Sequence, residues 1–226
     1  MKESIYDKKK SIYSGINQYL IPFISENSKI LDVGCNTGQL GEFLERTKNC
    51  KVYGIDISAT AIHEAKNRLS RAISMDIEKE SPPPDFNNFD IIIFGDVLEH
   101  TRNPELILQK YKNYLAKNGS ILTSIPNVAN IIVRIKLLLG KWEYRENGVL
   151  DNTHLRFFTY KTMKKLFKKV DLAVEKQTFI PGMYLIKLNQ VRFVQKLEHY
   201  VNRLSPTLFA AQFVFSLKPV QTHDNM

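Results

Sequence analysis

The sequence predicts an α/β fold built on a parallel sheet, and three observations carry that reading. Lys29-Ile-Leu-Asp-Val33 is a short apolar run that passes through Gly34-Cys-Asn-Thr-Gly38 into a segment with helical spacing, a strand–turn–helix unit. Apolar runs and helix-spaced segments then alternate along the chain, as in successive βα units. Acids stand at the ends of the first three runs: Asp32, Asp56 and Asp76. With 226 residues the chain is long enough for one domain with a sizeable core.

Taken in order, residues 5–24 are expected to form a leading helix, with Ile5, Ile12, Ile16, Leu20 and Phe23 apolar and Pro22 shaping its end. The first strand, 29–33, turns at Gly34–Gly38, where glycine lets the backbone bend sharply and approach a ligand. Residues 39–46 form a helix with Leu40, Phe43 and Leu44 on one face. The second strand, 51–57, carries Asp56 at its end, and Ser58 caps a helix reaching Leu69. Residues 72–75 are a short third strand, and 78–88, with Ser81-Pro-Pro-Pro84, a loop. Phe89–Gly95 is the most apolar strand, as a central parallel strand should be. Asn103-Pro104 opens a helix that Asn118-Gly119 is expected to stop. A fifth strand covers 120–125, and Asn130–Leu139 is a short apolar helix. Thr159 caps a helix over 160–170, residues 172–180 form a strand, 184–204 a helix, and 207–217 a seventh strand.

The glycine turn differs from a dinucleotide fingerprint. Its spacing is Gly34-x-x-x-Gly38, and Asp32 would repel a pyrophosphate. A nucleoside with cationic groups and no phosphate suits it better, and S-adenosylmethionine is such a molecule. Here Asp32-Val-Gly34-Cys-Asn36-Thr-Gly38 resembles the first motif of the class I S-adenosylmethionine-dependent methyltransferases, with Asn36 in place of the middle glycine. Asn tolerates left-handed backbone better than most residues. Ser74-Met-Asp76-Ile77 and the run Phe89 to His100, ending Gly95-Asp96-Val-Leu-Glu99-His100, resemble later motifs of that family in the same order. The resemblance covers residues 29–219. It implies a Rossmann-like, doubly wound, seven-stranded sheet whose last strand runs antiparallel between the fifth and sixth. It also implies a cofactor held by Asp32, Gly34, Cys35, Asn36, Gly38, Asp56, Ile57, Asp76, Ile77, Gly95 and Asp96, with Asp56 on the ribose and Asp76 at the adenine, and a leading helix over the cofactor mouth.

Charge is unevenly placed. Residues 27–127 hold 12 Lys/Arg against 13 Asp/Glu, whereas residues 128–226 hold 16 against 7. The basic half favours an acidic partner: a phosphate, a sugar acid, an anionic lipid or a nucleic acid. The alternative is a solvated helix face, which Lys164, Lys165, Lys168 and Lys169 fit. Apolar helices with cations at 130–139 and 184–204 either rest on an anionic membrane surface, bury against the sheet or meet in a homodimer. No apolar run reaches the length of a membrane span, and the N-terminal residues have no signal-peptide core. Cys35 and Cys50 form no metal pattern, which suits a reducing cytoplasmic setting.

After the fifth strand the βα pattern breaks, and residues 128–158 are expected to roof an acceptor pocket. The run Pro126-Asn127 to Thr159, with its aromatic loop and Leu150-Asp-Asn-Thr-His-Leu-Arg-Phe-Phe-Thr159, is similar to a subgroup associated with polysaccharide and glycoconjugate biosynthesis. Asn127, Trp142, Tyr144 and Arg156 are the candidate acceptor contacts, Arg156 because its planar fork pairs with phosphate or carboxylate unless it pairs with Asp151 instead. Methyl transfer to oxygen or nitrogen calls for a base. His154, with Asp151 to orient it, and His100, at the ligand edge of the sheet, are the candidates. Asp96 and Glu99 either face the cofactor's methionine end or bind a metal; two acids three residues apart are too common to define a metal site, so none is expected. The acceptor is expected to be a small molecule, a sugar or a lipid-linked glycan. A nucleic-acid methyltransferase, which would normally carry an N/D-P-P-Y/F motif for amino methylation of bases, a non-catalytic relative and a nicotinamide-dependent oxidoreductase are the alternatives.

Overall fold

The computed structural model describes residues 15–182 and 205–220. Seven strands form one sheet in the order β3-β2-β1-β4-β5-β7-β6. The strands are β1 (Lys29–Val33), β2 (Lys51–Asp56), β3 (Arg71–Ser74), β4 (Phe89–Gly95), β5 (Leu115–Pro126), β6 (Leu172–Pro181) and β7 (Ala210–Pro219). The pairs β1–β2, β2–β3, β1–β4 and β4–β5 are parallel, and β7 runs antiparallel to both β5 and β6, between them. The expected topology is therefore present, last strand included.

Burial on both faces explains the unbroken apolar runs. Along β4, Ile91 and Ile93 join one core while Ile92 and Phe94 join the other; in β7, Val214 faces the first and Phe213 and Phe215 the second. That alternation is the pleat of a strand covered on two sides. The first core is closed by Leu44 of α1 (Gln39–Lys48) and by Ile62 and Ala65 of α2 (Ala59–Ala65). The second is closed by Ile107, Leu108 and Tyr111 of α3 (Pro104–Lys112) and by Met163 and Phe167 of α5 (Tyr160–Lys169). Between them in sequence, α4 (Ile131–Leu138) follows β5.

Ser58, Asn103 and Thr159, read as caps from the sequence, are caps in the structure, and Asn130, read as the first residue of its helix, caps it instead. Ser58 Oγ accepts from Ala61 N at 3.0 Å, Asn103 Oδ1 from Leu106 N at 3.2 Å and Asn130 Oδ1 from Val133 N at 3.1 Å. Thr159 and Thr162 form a reciprocal capping box, which satisfies two backbone donors that a helix start leaves open.

Four boundaries are corrected. Within residues 15–24 the chain makes turns and one 3-10 turn, Ile21–Phe23, rather than a long helix. Gly15 at φ 137° lies outside helical geometry, and Pro22 sits at the 3-10 helix start, where its missing donor does no harm. Helix α2 stops at Ala65 and turns carry the chain through Leu69. Helix α3 stops at Lys112, and Asn118-Gly119 belongs to β5: the register jumps from Phe89↔Leu115 to Ile91↔Ser120, a bulge. A Cβ on Gly119 would lie 2.7 Å from the Phe89 carbonyl oxygen, so this glycine serves close strand approach. Residues 207–209 form a helical turn begun by Pro206, and β7 starts at Ala210. The expected helix 184–204, and the leading helix before residue 15, lie outside the described residues.

Candidate active site

The chain runs outward from β1 to β3 on one side and from β4 to β5 on the other, so the connections part between β1 and β4. Open α/β sheets bind ligands at that point, beyond the carboxyl ends of the strands. A cavity of about 1010 Å³ lies there, and its walls include Asp32, Gly34, Cys35, Asn36, Asp56, Ile57, Asp76, Ile77, Gly95 and Asp96. These are the expected cofactor residues, all but Gly38. That glycine is the left-handed cap of α1 (φ 82°) and packs on Ala65 and Leu69.

The turn after β1 is shaped by left-handed backbone at Gly34 (φ 78°), Asn36 (φ 48°) and Gly38. A Cβ on Gly34 would lie 2.5 Å from Val97 Cγ2, so only glycine lets β1 and the β4 loop meet here. Asp56 ties the turn to the end of β2: its Oδ2 accepts from Asn36 N at 2.9 Å and its Oδ1 from Ser58 N at 2.8 Å. At the far end of the cavity wall, Asp76 accepts from Glu78 N at 3.0 Å and from Lys79 Nζ at 2.7 Å. Burial opposes its ionisation, but these hydrogen bonds outweigh burial and lower its pKa.

The acids nearest the sheet behave oppositely. Burial, reinforced by the charge of Asp56, raises Asp32 to about 7. Burial also raises Asp96 to about 7, against a hydrogen bond from Ser124. Asp96 accepts from Gln212 Nε2 of β7 at 2.8 Å, and Ser124 in turn accepts from Asn17 Nδ2 at 3.2 Å. This network joins the leading segment, β5 and β7 at one carboxylate. Burial, then the charge of Asp32, pushes the Cys35 thiol well up, which disfavours its thiolate. Both Cys35 and Cys50 are free thiols.

The same cavity is lined by Glu99, His100 and His154. Glu99 and His100 lie on a 3-10 turn, Leu98–His100, and the Glu99 carbonyl accepts from Leu155 N at 2.8 Å and Arg156 N at 3.0 Å. Those two bonds dock the segment after α4 onto the site. The Glu99 side chain is 1 % exposed, and among the described residues neither carboxylate oxygen has a hydrogen-bond partner. Burial and the charges of Asp96 and Asp151 raise its pKa well above the carboxylate range. His154 Nε2 lies 4.0 Å from Glu99 Oε1, and the two imidazoles meet edge to face at 4.8 Å between centroids. His154 Nδ1 faces the Val149 carbonyl at 3.2 Å, and His100 Nδ1 faces Thr153 O at 3.3 Å and Thr153 Oγ1 at 3.1 Å. Asp151 Oδ1 accepts from the Thr153 amide and hydroxyl.

The four candidate acceptor contacts sit elsewhere. Asn127 is fully buried, donates to Thr207 O and Ala210 O and accepts from Ala129 N, a joint between β5 and β7. The Arg156 guanidinium donates to the Arg102 carbonyl at 3.0 and 2.6 Å rather than to Asp151. Trp142 and Tyr144 pack on Phe157, with centroids 5.5 and 6.4 Å away. From this insertion the cavity takes Asn147, Gly148, Asp151, His154 and Leu155 instead. Gln212 and Asn17 also reach the cavity, though neither stood out in the sequence. Both are ordinary polar residues far from the motifs in chain order.

A family model described as a methyltransferase domain matches residues 8–177. Among curated relatives, a ubiquinone biosynthesis O-methyltransferase from Glaesserella parasuis is 35% identical over 108 residues, 44% of this chain and 45% of that protein. A phosphoethanolamine N-methyltransferase from Plasmodium falciparum is 30% identical over 107 residues, 44% of this chain and 39% of that protein. The matches thus span less than half the length of these relatives. A solved S-adenosylmethionine-dependent methyltransferase from Clostridium acetobutylicum superposes with a TM-score of 0.61 at 16% identity, over 96% of this chain and 97% of that one.

Proposed function

Because the chain belongs to the methyltransferase domain family, we propose that it transfers the methyl group of S-adenosylmethionine to an oxygen or nitrogen of a small-molecule acceptor. The observation that carries this is Asp56, clamped by the Asn36 and Ser58 amides on the cavity wall beside a turn too tight for any side chain at Gly34. Its carboxylate suits ribose hydroxyls, and the Asp76 end suits the adenine. Buried acids of raised pKa at Asp32 and Asp96 suit a cation, since a sulfonium or ammonium beside them would restore their ionised form. Bound S-adenosylmethionine supplies an electrophilic methyl group; the protein supplies position and a route for the acceptor's proton. We assign that route to Glu99, His100 and His154, with His154 foremost.

The relatives above are named for ubiquinone biosynthesis and for phosphoethanolamine, which favours a small acceptor over the polysaccharide setting suggested by residues 150–159. The test is incubation with methyl-labelled S-adenosylmethionine and a panel of hydroxylated aromatics, phosphorylated amines, nucleotide-linked sugars and RNA. Label on a small molecule supports the reading. Label on RNA alone, or on nothing while NAD binds, overturns it. Asp56→Ala is expected to weaken cofactor binding by about 1.5–3 kcal/mol, read by calorimetry; unchanged affinity would remove Asp56 from the ribose.

The basic, apolar helix α4 adds a second element to the proposal. Ile132, Ile135, Leu137, Leu138 and Leu139 are exposed, Leu138 at 86 %, with Arg134 and Lys136 among them. Among the described residues no helix is long and apolar enough to cross a membrane. Such a helix combines apolar area with attraction to anionic lipid. The protein is expected to sediment with anionic vesicles at low salt and to be released as salt rises. Binding that ignores lipid charge, or no binding at all, would leave this face to a homodimer or to the rest of the chain.

A further inference from the structure

Glu99 poses a physical problem that hydrogen bonding among the described residues does not solve. A carboxyl group that is 1 % exposed, with neither oxygen partnered there, is costly to bury. Its side chain points to two imidazoles: one atom from each of Glu99, His100 and His154 lies within 4.8 Å of the others. We propose that these three side chains form a binding site for a divalent transition-metal ion on the cavity wall.

The donor set fits. Two imidazoles and one carboxylate are a familiar combination for first-row ions, and three protein ligands leave a position for an exchangeable oxygen. The imidazoles have the outer partners that metal-bound histidines need. The Val149 carbonyl beside His154 Nδ1 and the Thr153 carbonyl beside His100 Nδ1 accept the ring N–H, which places the basic nitrogen at Nε2 in both rings. His154 Nε2 is the atom that faces Glu99. Metal bonds near 2.1 Å separate tetrahedral ligands by about 3.4 Å, so the cluster needs to contract by roughly 1 Å. The Glu99 carbonyl already anchors Leu155 and Arg156, so the two halves of the site are held together without the ion. Imidazole ligation favours zinc, cobalt, iron or nickel over magnesium.

The site's role, unlike the site itself, rests on the methyl-transfer reading. All three residues line the same cavity as Asp32 and Asp56. An ion there would take an acceptor hydroxyl at its open position and lower the hydroxyl pKa, as zinc does for water, with the proton passing to solvent. The histidines would then act as ligands rather than as bases.

The test uses the full chain stripped of metal with a chelator and titrated with Co²⁺ by absorption and with Zn²⁺ by calorimetry. One ion per chain with micromolar or tighter affinity is expected, and millimolar Mg²⁺ should not displace it. Loss of an outer partner of a metal site typically weakens binding roughly 10–100-fold, so Glu99→Gln is expected to weaken it by at least about 100-fold. The same variant should keep its S-adenosylhomocysteine affinity. Nitrogen resonances of the wild-type histidines give a readout that needs no variant: Zn²⁺ should move two of the five rings. Failure to bind Co²⁺ or Zn²⁺, equal affinity in Glu99→Gln, or a response from other rings would overturn the proposal. S-adenosylhomocysteine binding separates this outcome from failure of the methyl-transfer reading, since that binding does not depend on the ion.

Discussion

Replacing His154 by alanine is expected to lower turnover by about 10²–10⁴-fold while leaving S-adenosylhomocysteine affinity unchanged. The ring lines the cavity, 4.0 Å from a buried carboxylate that has no hydrogen bond among the described residues, and it packs edge to face on His100. Whether it accepts the acceptor's proton or holds an ion that eases the proton's loss, its removal leaves the acceptor protonated beside the methyl donor. Single-turnover rates on the acceptor returned by the labelling panel, with cofactor affinity measured alongside, give the answer. Near-normal turnover would exclude His154 from the chemistry. Equal loss of turnover and cofactor affinity would mean that the segment after α4 had merely come loose.

Asp32→Asn is expected to stabilise the ligand-free protein at pH 8 and to make little difference at pH 4. Burial and Asp56 raise the Asp32 carboxyl from 3.8 to about 7 in the folded protein. The unfolded chain therefore gives up this proton near pH 4 while the folded chain keeps it until near pH 7. In that window the folded state binds more protons, so stability falls as pH rises. Above pH 7 the penalty is constant, on the order of 4 kcal/mol, because each tenfold loss of acidity on folding costs about 1.36 kcal/mol. The difference between variant and wild type should thus grow from pH 4 to pH 7 and then level off in denaturant melts. The variant should also bind S-adenosylmethionine more weakly, because the carboxylate that faces the cation is gone. A stability difference that is flat with pH would mean that Asp32 is ionised throughout.

Local chemistry made much of this legible in the sequence. Phe89–Gly95 is readable as a central strand because both its faces are buried, and Ser58, Asn103 and Thr159 are readable as caps because each is followed by backbone donors that need an acceptor. Asp32, Asp56, Asp76 and Asp96 are legible because the ends of successive parallel strands converge on one edge. Asn118-Gly119 misleads because Gly marks a helix stop and a strand bulge alike, and only the pairing with Phe89 decides between them. Long-range placement is what sequence leaves out. Gln212 reaches Asp96 from 116 residues away, through an antiparallel strand inserted beside β5. Trp142 and Tyr144 attract notice as large aromatics, yet they pack on Phe157, while the small residues Asn147 and Gly148 face the cavity. Glu99 reads as one of two nearby acids; its burial without a partner among the described residues, and its approach to His154 far along the chain, exist only in the fold.

The most direct measurement is a calorimetric titration of the full chain with S-adenosylhomocysteine, with NAD in a parallel cell. One site per chain is expected for S-adenosylhomocysteine, weakened in Asp56→Ala, with no heat from NAD. Binding of NAD without binding of S-adenosylhomocysteine would contradict the assignment of the cavity to a methyl donor.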